Sequence, residues 1–253
     1  MISDMWSELF HFRTSSARDG SAYTEASGIG EFLRELHDNL SPWSPRFIVI
    51  DDCSADQTSR AVEVLADQGI PVRAIRNESN LGHGPSTMRA LAEGNIDGAD
   101  LVVAVDGDGQ FFGTDLAVAV ERSIATGADI VEGIRRHRGD PVYRRFVSLT
   151  TRILVLVKPR KRPTDANTPL RVYRPEALQR LLREVRSDSM VPNLAISVHA
   201  RRWGLKIEEI EVTSIPRRGA DQAGTTWGKS RRQLPSKRFV KFCSRAIGEF
   251  LRL

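Results

Sequence analysis

The sequence contains few cysteines and no long apolar segment. Its 253 residues include only Cys53 and Cys243, and two cysteines so far apart do not indicate a disulfide framework or a cysteine-rich metal site. The uninterrupted apolar runs, such as Ile153 to Val157, are far shorter than the roughly 20 residues that a membrane-spanning helix needs. The first residues lack the basic start and apolar stretch of a signal peptide. We therefore expect a cytoplasmic protein without a membrane-spanning helix.

Acidic residues are slightly outnumbered by basic ones. The chain has 37 Lys and Arg against 32 Asp and Glu, which gives a net charge of +5. The basic excess is concentrated toward the C-terminus and favours an anionic partner there, such as a phosphate group or a membrane surface. Aromatic residues are not interleaved with these basic residues, so the base-stacking surface of a single-stranded nucleic-acid binder is lacking. We predict no nucleic-acid partner.

Short apolar segments alternate with amphipathic ones in the first half of the chain. Four of them are predicted as strands, and the first carries an apolar run without polar alternation, as the strands of a parallel sheet covered on both faces do. The four are RFIVIDD (46–52), IPVRAIRN (70–77), ADLVVAVDGDGQ (99–110) and ADIVEGIR (128–135). Helices are predicted between them. The pattern predicts an α/β fold, with a mostly parallel, doubly wound sheet and helices on both faces.

Further elements are predicted on either side of this region. Residues 25–40 have an amphipathic pattern that predicts a helix, and a weak strand is predicted near residue 10, before a long polar loop. Downstream, the sequence predicts helices over 141–157 and 177–185 and a strand over 204–212.

The last predicted helix, residues 236–253, is basic and amphipathic. Its apolar face carries Phe239, Phe242 and Phe250, and its opposite face carries Arg238 and Lys241. A helix of this kind can lie in a membrane interface, or it can pack its apolar face onto the rest of the chain. Peripheral contact with the inner face of a membrane is one expectation, and a packed surface helix is the other.

Two carboxylates lie at the end of the strand predicted over 99–110. Asp106 and Asp108 are separated by a single glycine and can both reach one divalent cation, with the Gln110 amide oxygen beside them. Mg²⁺ and Mn²⁺ prefer such hard oxygen ligands and complete their shell with phosphate oxygens. A solvated acidic turn is the alternative interpretation. The pattern alone leaves both open.

Two other segments follow predicted strands. Asp51 and Asp52 end the first strand of the series, where they could accept hydrogen bonds from a base or a ribose, because ligands of such sheets bind at the carboxyl ends of the strands. Helix capping accounts for Ser54 or Asp56 instead. In NLGHGPST, the glycines either allow the backbone to approach a ligand or form a tight turn. The third glycine of a dinucleotide fingerprint is missing.

Five motifs occur in one order: VIDDCSADQT, NLGHGPSTMRA, VAVDGDGQF, GIRR and DANTPLRVYR. Over about residues 47–224, this order resembles the family-two glycosyltransferases of the GT-A fold, above all the polyprenyl-phosphate branch that includes dolichyl-phosphate mannose synthase. The resemblance implies that residues 1–235 form a GT-A catalytic domain, with residues 236–253 as a C-terminal helix. It also implies transfer of a hexose from a UDP- or GDP-linked sugar to a polyprenyl-phosphate-type acceptor, with inversion and with Mg²⁺ or Mn²⁺.

The resemblance also implies roles for single residues. It assigns the metal to Asp106, Asp108 and Gln110. It assigns the nucleotide sugar to Asp51, Asp52, Asp56, Gly82, Gly84 and Asp106. It assigns the acceptor phosphate to Arg144, Arg145, Ser148 and Arg218, with Arg217 as the alternative to Arg218. Asp108, Arg135 and Arg171 are the implied catalytic residues, and Asp165 is the candidate base if the acceptor is a hydroxyl group.

The sequence departs from the family at three places. The Pro-x-Tyr-Asn-Glu-like segment that usually opens the chain is absent, which leaves the base of the nucleotide open. Thr168-Pro169-Leu170 replaces the small-residue-Gly-Phe of the family. In VPNLAISVHARR, Asn193 and Ala195 occupy the region where the family often carries a carboxylate.

These departures leave three functions open. The first is transfer to a polyprenyl-phosphate acceptor at a cytoplasmic membrane surface. The second is the same donor chemistry on a soluble acceptor, such as a sugar, a nucleoside or a natural-product intermediate. The third is a catalytically inert protein that binds a nucleotide sugar.

Overall fold

The computed structural model describes residues 8–14, 25–54, 58–95, 99–136 and 163–216, with residues 218 and 248. Within these ranges, seven strands form one sheet: β1 (Glu8–Thr14), β2 (Arg46–Asp51), β3 (Val72–Arg76), β4 (Leu101–Asp106), β5 (Ile130–Arg136), β6 (Arg171–Tyr173) and β7 (Ile207–Thr213). The described α-helices that accompany it are α1 (Glu25–Leu40), α2 (Thr58–Asp67), α3 (His83–Gly94), α4 (Gly113–Thr126), α5 (Pro175–Glu184) and α6 (Pro192–Arg202).

The strand order in the sheet is β3-β2-β1-β4-β6-β5-β7. The pairs β1–β2, β1–β4, β2–β3 and β5–β7 are parallel, whereas β6 is antiparallel to both β4 and β5. Because β1, β2, β3 and β4 are parallel, their carboxyl ends share one edge of the sheet. The predicted mostly parallel α/β sheet is confirmed, as is the weak strand near residue 10.

Apolar side chains cover the sheet on both faces. On one face, α1, α2 and α4 pack on the sheet through residues that include Phe32, Leu65 and Leu116. On the other face, α3, α5 and α6 pack through residues that include Leu91, Leu178 and Ile196. In β4, Val103 faces the first of these cores and Val102 the second. This two-sided burial is the reason that the strands read as continuous apolar runs.

Two elements differ from what the pattern predicted. β6 has only three residues, all buried, and begins with a charged one, Arg171. Helix α6 is buried on all sides from Pro192 to Arg201, so it lacks the polar face by which an amphipathic helix is recognised. Neither shows the periodicity on which a prediction from sequence rests.

The helices predicted over 141–157 and 236–253 and the domain boundary after residue 235 lie outside the described residues. Within the part of the chain that the structure describes, no helix combines the length and the apolar character needed to cross a bilayer.

Candidate active site

The two aspartates of the DGDGQ turn lie at the carboxyl end of β4. Asp106 is the last residue of the strand, and Asp108 lies on the turn that leads to α4; both are half-buried. β1 separates β4 from β2 in the sheet, so Asp51 and Asp52 lie at the same edge. The structure therefore brings the two predicted acidic motifs to one side of the sheet.

The segment after β7 runs along the DGDGQ turn. The Arg218 N–H donates to the Asp108 carbonyl at 3.0 Å, and the Ile215 N–H donates to the Gln110 carbonyl at 3.0 Å. The Gln110 side-chain Nε2 returns a hydrogen bond to the Ile215 carbonyl at 3.3 Å. Since Nε2 is used in this way, it is Oε1 of Gln110 that could contact a ligand. Residues more than a hundred positions apart thus fix the shape of the turn.

The side chain of Arg218 also contacts the DGDGQ turn. Its Nε donates to the Gly109 carbonyl at 3.1 Å, its Nη1 forms an ion pair with the Glu35 carboxylate, and its guanidinium lies 5.2 Å from the centre of the Phe32 ring. Gly109 has a φ of +64°, and a Cβ there would come within 2.7 Å of the Arg218 Cδ. Position 109 therefore requires glycine for two reasons: its φ is positive, and a side chain there would collide with Arg218.

Glu35 extends this support to the start of α4. Its carboxylate accepts a hydrogen bond from the Gly113 N–H at 2.5 Å, which satisfies a donor of the first helical turn. Burial acts to raise the pKa of the Glu35 carboxyl, but the hydrogen bonds from Arg218 and Gly113 and the charge of Arg218 hold this pKa below its ordinary value. Arg218, predicted to contact the acceptor phosphate, is thus engaged by the protein itself.

Asp51 and Asp52 are fully buried and use their carboxylates within the protein. Asp51 accepts hydrogen bonds from the Ser54 N–H at 2.8 Å, the Ser59 hydroxyl at 2.6 Å and Nη1 of Arg76 at 2.8 Å. These contacts hold the loop between β2 and α2 against the end of β3.

The Asp52 carboxylate organises the loop before α3. It accepts from Nδ2 of Asn77 at 2.8 Å, from the Leu81 N–H at 2.8 Å and from the Gly82 N–H at 2.9 Å. Every one of the Asp51 and Asp52 carboxylate oxygens accepts a hydrogen bond from the protein, so both residues shape the edge of the site. Their contact with a nucleotide remains a prediction.

The two glycines before α3 have different roles. Gly82 has a φ of +89°, a conformation that favours glycine, and nothing lies within 4 Å of a Cβ built there. At Gly84, a Cβ would lie 1.9 Å from the Ser189 carbonyl oxygen. The close approach that position 84 permits is therefore to the backbone before α6, which brings the starts of α3 and α6 together.

Arg135 and Asp165, two of the predicted catalytic residues, form a bidentate pair. Nε and Nη2 of Arg135 lie 2.8 and 3.3 Å from the two Asp165 oxygens, and the side chains are only 14% and 12% exposed. Nη2 also donates to the Asn167 carbonyl at 3.2 Å. This pair fixes the loop before β6 against β5, and the Asp165 carboxylate is directed at a guanidinium rather than at an open cleft.

Arg171 lies in a buried charged cluster behind this loop. Its guanidinium is fully buried, donates to the carbonyls of Thr168 at 3.2 Å and Ala166 at 3.0 Å, and lies 3.3 Å from Glu132. Arg201 pairs with the other Glu132 oxygen at 2.7 Å. Arg171 therefore holds the loop in position, and its catalytic role remains a prediction.

The cluster is held together by charge. Burial acts to raise the pKa of the Glu132 carboxyl, but Arg171 and Arg201, with a hydrogen bond from the Ser197 hydroxyl, hold this pKa below its ordinary value. Glu132 therefore stays ionised between the two guanidinium groups, as a buried carboxylate must when it balances two buried cations.

A pocket opens beside Asp106. It lies between α3, β4 and α6, with Thr87, Asn193 and Pro169 among its walls, and it is open to solvent. Asp106 is itself part of its lining, so the pocket adjoins the DGDGQ turn.

The carboxylates of the turn fit a divalent cation that is shared with a substrate. Among the described residues, no group of three or more His, Cys, Asp or Glu side chains could form a metal cage. Asp106 and Asp108 supply two hard oxygen ligands, and Mg²⁺ is commonly held by one or two carboxylates together with substrate phosphates. The donor set therefore fits a cation that binds with a diphosphate.

Several predicted residues lie outside the described part of the chain: Asp56, Arg144, Arg145, Ser148 and Arg217. Others that matter were missed by the sequence analysis. Glu132 and Arg201 pair across 69 residues, and Glu35 pairs with Arg218 across 183, separations that leave no local pattern. Asn77 was missed although it directly follows β3 at the same edge of the sheet as Asp52, and that position was the available signal.

Comparisons with known proteins agree with this geometry. A family model described as "Glycosyl transferase family 2" matches residues 21–185. The UDP-N-acetylglucosamine–dolichyl-phosphate N-acetylglucosaminyltransferase of Methanococcus voltae is 24% identical over 215 residues, covering 77% of this chain and 83% of that protein. The undecaprenyl-phosphate 4-deoxy-4-formamido-L-arabinose transferase of Pseudomonas paraeruginosa is 26% identical over 176 residues, covering 68% of this chain. The chain spans about half of the latter protein, 51% of its length.

Solved structures show the same fold. A mannosyltransferase from Pyrobaculum calidifontis, in complex with GDP-Man and Mn²⁺, matches with a TM-score of 0.56 and 16% identity, covering 82% of this chain and 56% of that one. Glucosyl-3-phosphoglycerate synthase from Mycobacterium tuberculosis, in complex with Mn²⁺ and UDP-Glc, matches with a TM-score of 0.58 and 16% identity, covering 98% and 79%. The predicted GT-A fold is confirmed.

Proposed function

Because the chain belongs to glycosyl transferase family 2, we propose that it transfers a hexose from a nucleoside-diphosphate sugar to a polyprenyl-phosphate acceptor. The observation that carries the proposal is the pair Asp106 and Asp108 at the carboxyl end of β4, on a turn that Arg218 and Ile215 hold in place. Two half-buried carboxylates on a fixed turn beside a pocket are suited to hold a metal-bound diphosphate.

The donor site follows from this pair. Asp106 and Asp108, with Oε1 of Gln110, would hold Mg²⁺ or Mn²⁺ against the diphosphate. Such a cation neutralises the negative charge that develops on the leaving nucleoside diphosphate. The solved relatives that bind GDP-Man or UDP-Glc together with Mn²⁺ support this assignment. UDP- and GDP-linked sugars are both candidate donors.

The acceptor is proposed from chemistry and from the relatives. A phosphate acceptor is already an anion near neutral pH, so it needs positioning more than deprotonation. Among the described residues that line the pocket, Asn193 cannot take a proton and Asp106 is a proposed metal ligand. Asp165, outside the pocket lining, is bound by Arg135. The described part of the site thus offers no base apart from the proposed metal ligands, which favours an acceptor that is already ionised. The relatives named for dolichyl phosphate and undecaprenyl phosphate support this choice.

The reaction would be a direct displacement. The acceptor oxygen would attack the anomeric carbon on the face opposite the leaving group, which inverts that centre. Arg144, Arg145 and Ser148 remain our predicted contacts to the acceptor phosphate. A role for Asp56 in binding the nucleotide, and for Arg217 near the phosphates, likewise remains a prediction.

Contact with a membrane is part of the proposal. A lipid-linked acceptor would be met at the inner face of a membrane, and the basic amphipathic segment 236–253 is proposed to lie along that surface. Residues 1–235 would then form the catalytic domain. The enzyme would be a peripheral protein of the cytoplasmic side.

A soluble acceptor is the second candidate, and one feature favours it. Pro169 stands where the family has glycine, and it forms part of the pocket wall, so the acceptor side differs from the usual pattern. A protein that binds nucleotide sugar without transfer is the third candidate.

A thermal-shift titration tests the donor site. The protein is heated with UDP, GDP, TDP or CDP, each with Mn²⁺ or with EDTA. Saturation at about a hundred times the dissociation constant adds about 2.7 kcal/mol of stability. We expect a shift with one nucleotide that EDTA removes. No shift with any nucleotide would contradict the proposed donor site.

A further inference from the structure

One polar side chain faces the pocket beside Asp106 without a partner among the described residues. Asn193 is only 5% exposed and forms part of the pocket wall. Within the described ranges, its carboxamide makes no hydrogen bond. Asn193 does not belong to the fully buried unpaired side-chain groups of the described residues, so its carboxamide reaches the open space of the pocket. The polar group is therefore available to a ligand.

The position of Asn193 in the fold is fixed from two sides. It is the second residue of α6, after Pro192, and the N–H groups of Leu194 and Ala195 both donate to the Val191 carbonyl. The close contact of Gly84 with the Ser189 carbonyl anchors the start of α6 against α3. Pro192 has no N–H, and the N–H groups of Leu194 and Ala195 already have an acceptor, so it is the side chain of Asn193 that the start of α6 presents to a ligand.

The rest of the pocket is largely apolar. Leu91, Ala104 and Pro169 form part of its wall, and Asp106 lies at its side. A sugar ring presents C–H groups as well as hydroxyl groups, and it can place the former on these apolar walls. A second anion, by contrast, would be repelled by the Asp106 carboxylate. The surroundings of Asn193 therefore suit a neutral, hydroxyl-bearing group.

We propose that Asn193 binds a hydroxyl group of the sugar that is transferred and so helps to select the donor. The carboxamide can donate one hydrogen bond and accept another, which matches a hydroxyl group. This inference rests on the proposed function, because it places the sugar of a nucleoside-diphosphate sugar next to the metal ligand Asp106. Asn193 is a specificity-determining contact, and it leaves the nucleotide and its diphosphate untouched.

The test compares nucleotide with nucleotide sugar. Calorimetry in Mn²⁺ gives the dissociation constants of UDP and UDP-glucose, and of GDP and GDP-mannose. The ratio of the constant for the sugar nucleotide to that for the nucleotide isolates the contribution of the sugar. A hydrogen bond of about 0.5–1.5 kcal/mol corresponds to a change of about 2- to 12-fold. We expect Asn193→Ala to raise the ratio within that range, for the pair that the wild type binds, with the nucleotide constant unchanged.

Two further variants make the result decisive. Asn193→Ser keeps a smaller polar group and is expected to raise the ratio less than alanine does. Gln179→Ala removes a carboxamide from an exposed position of α5 and is expected to change nothing. An unchanged ratio in both Asn193 variants, or an equal loss for nucleotide and nucleotide sugar, would overturn the sugar contact.

If the proposed function is wrong, the same calorimetry gives a different result. If the wild type binds none of the four ligands in Mn²⁺, the donor site itself is wrong, and the inference falls with it. If the wild type binds nucleotide and sugar nucleotide and only the ratio is insensitive to Asn193, the donor site stands and the contact alone is refuted.

Discussion

Replacing Glu132 by alanine should destabilise the protein more than the loss of any exposed carboxylate. Glu132 is 1% exposed and lies between two guanidinium groups, those of Arg171, which is fully buried, and Arg201, which is 5% exposed. Removing it leaves two buried cations without their shared counter-charge. Breaking a buried ion pair by removing one partner costs about 3–5 kcal/mol, and we expect Glu132→Ala to lower the free energy of unfolding by about that amount.

Urea denaturation followed by circular dichroism measures this loss directly. In a thermal melt, each kcal/mol corresponds to about 2–4 °C for a domain of this size, so we expect a decrease of about 6–20 °C. Glu184→Ala is the matched control, because that carboxylate is exposed on α5, and it should change the free energy of unfolding by less than about 0.5 kcal/mol. A Glu132→Ala protein within 1 kcal/mol of the wild type would refute the reasoning.

The same residue predicts a dependence on pH. The pKa of Glu132 is lower in the folded protein than in the unfolded chain, so folding favours its ionised form. Its contribution to stability is fully present above the pKa of the unfolded chain and is lost as the pH falls through the folded pKa. Wild type and Glu132→Ala should therefore differ most at neutral pH and converge in acid.

Three further changes test the site and its support. Asp108→Ala should reduce sugar transfer in Mn²⁺ to background with the melting temperature nearly unchanged; near-normal turnover would contradict the metal assignment. Arg218→Ala should lower both the melting temperature and the rate of transfer, because it releases the Gly109 carbonyl and leaves the Glu35 carboxylate unpaired; a loss of activity with an unchanged melting temperature would instead point to a direct contact with substrate. Gly84→Ala should fold poorly, since its Cβ would lie 1.9 Å from a backbone oxygen, whereas Gly30→Ala, with its nearest atom at 3.6 Å, should melt like the wild type.

The sequence predicted the sheet well because burial on both faces leaves a local trace. The apolar runs of β2 and β4 and the carboxylates that follow them could be read along the chain, and their parallel pairing placed the acidic motifs at one edge. β6 could not be read in this way, because it has three residues and opens with Arg171, a charge that is stable there only because Glu132 lies 3.3 Å away.

The roles of single residues were harder to predict than their positions. Asp51 and Asp52 were expected to face a ligand, and they lie at the expected edge of the sheet. Their carboxylates accept hydrogen bonds from backbone and side-chain donors of the protein. Whether a carboxylate faces a cleft or a loop depends on the path of the loop, which the motif does not encode. The contacts of Arg218 could not be predicted for a similar reason: its partners Glu35 and Gly109 are brought to it only by the folded chain.

The most direct measurement of the central claim is a transfer assay with a lipid acceptor. Radiolabelled UDP-N-acetylglucosamine, UDP-glucose or GDP-mannose is incubated with the protein, undecaprenyl phosphate and detergent, with Mn²⁺ or with EDTA, and the label in the lipid fraction is counted. We predict that one donor labels the lipid in Mn²⁺, that EDTA abolishes the product, and that Asp108→Ala forms none. Binding of nucleotide sugar without any labelled lipid from these donors would contradict the account.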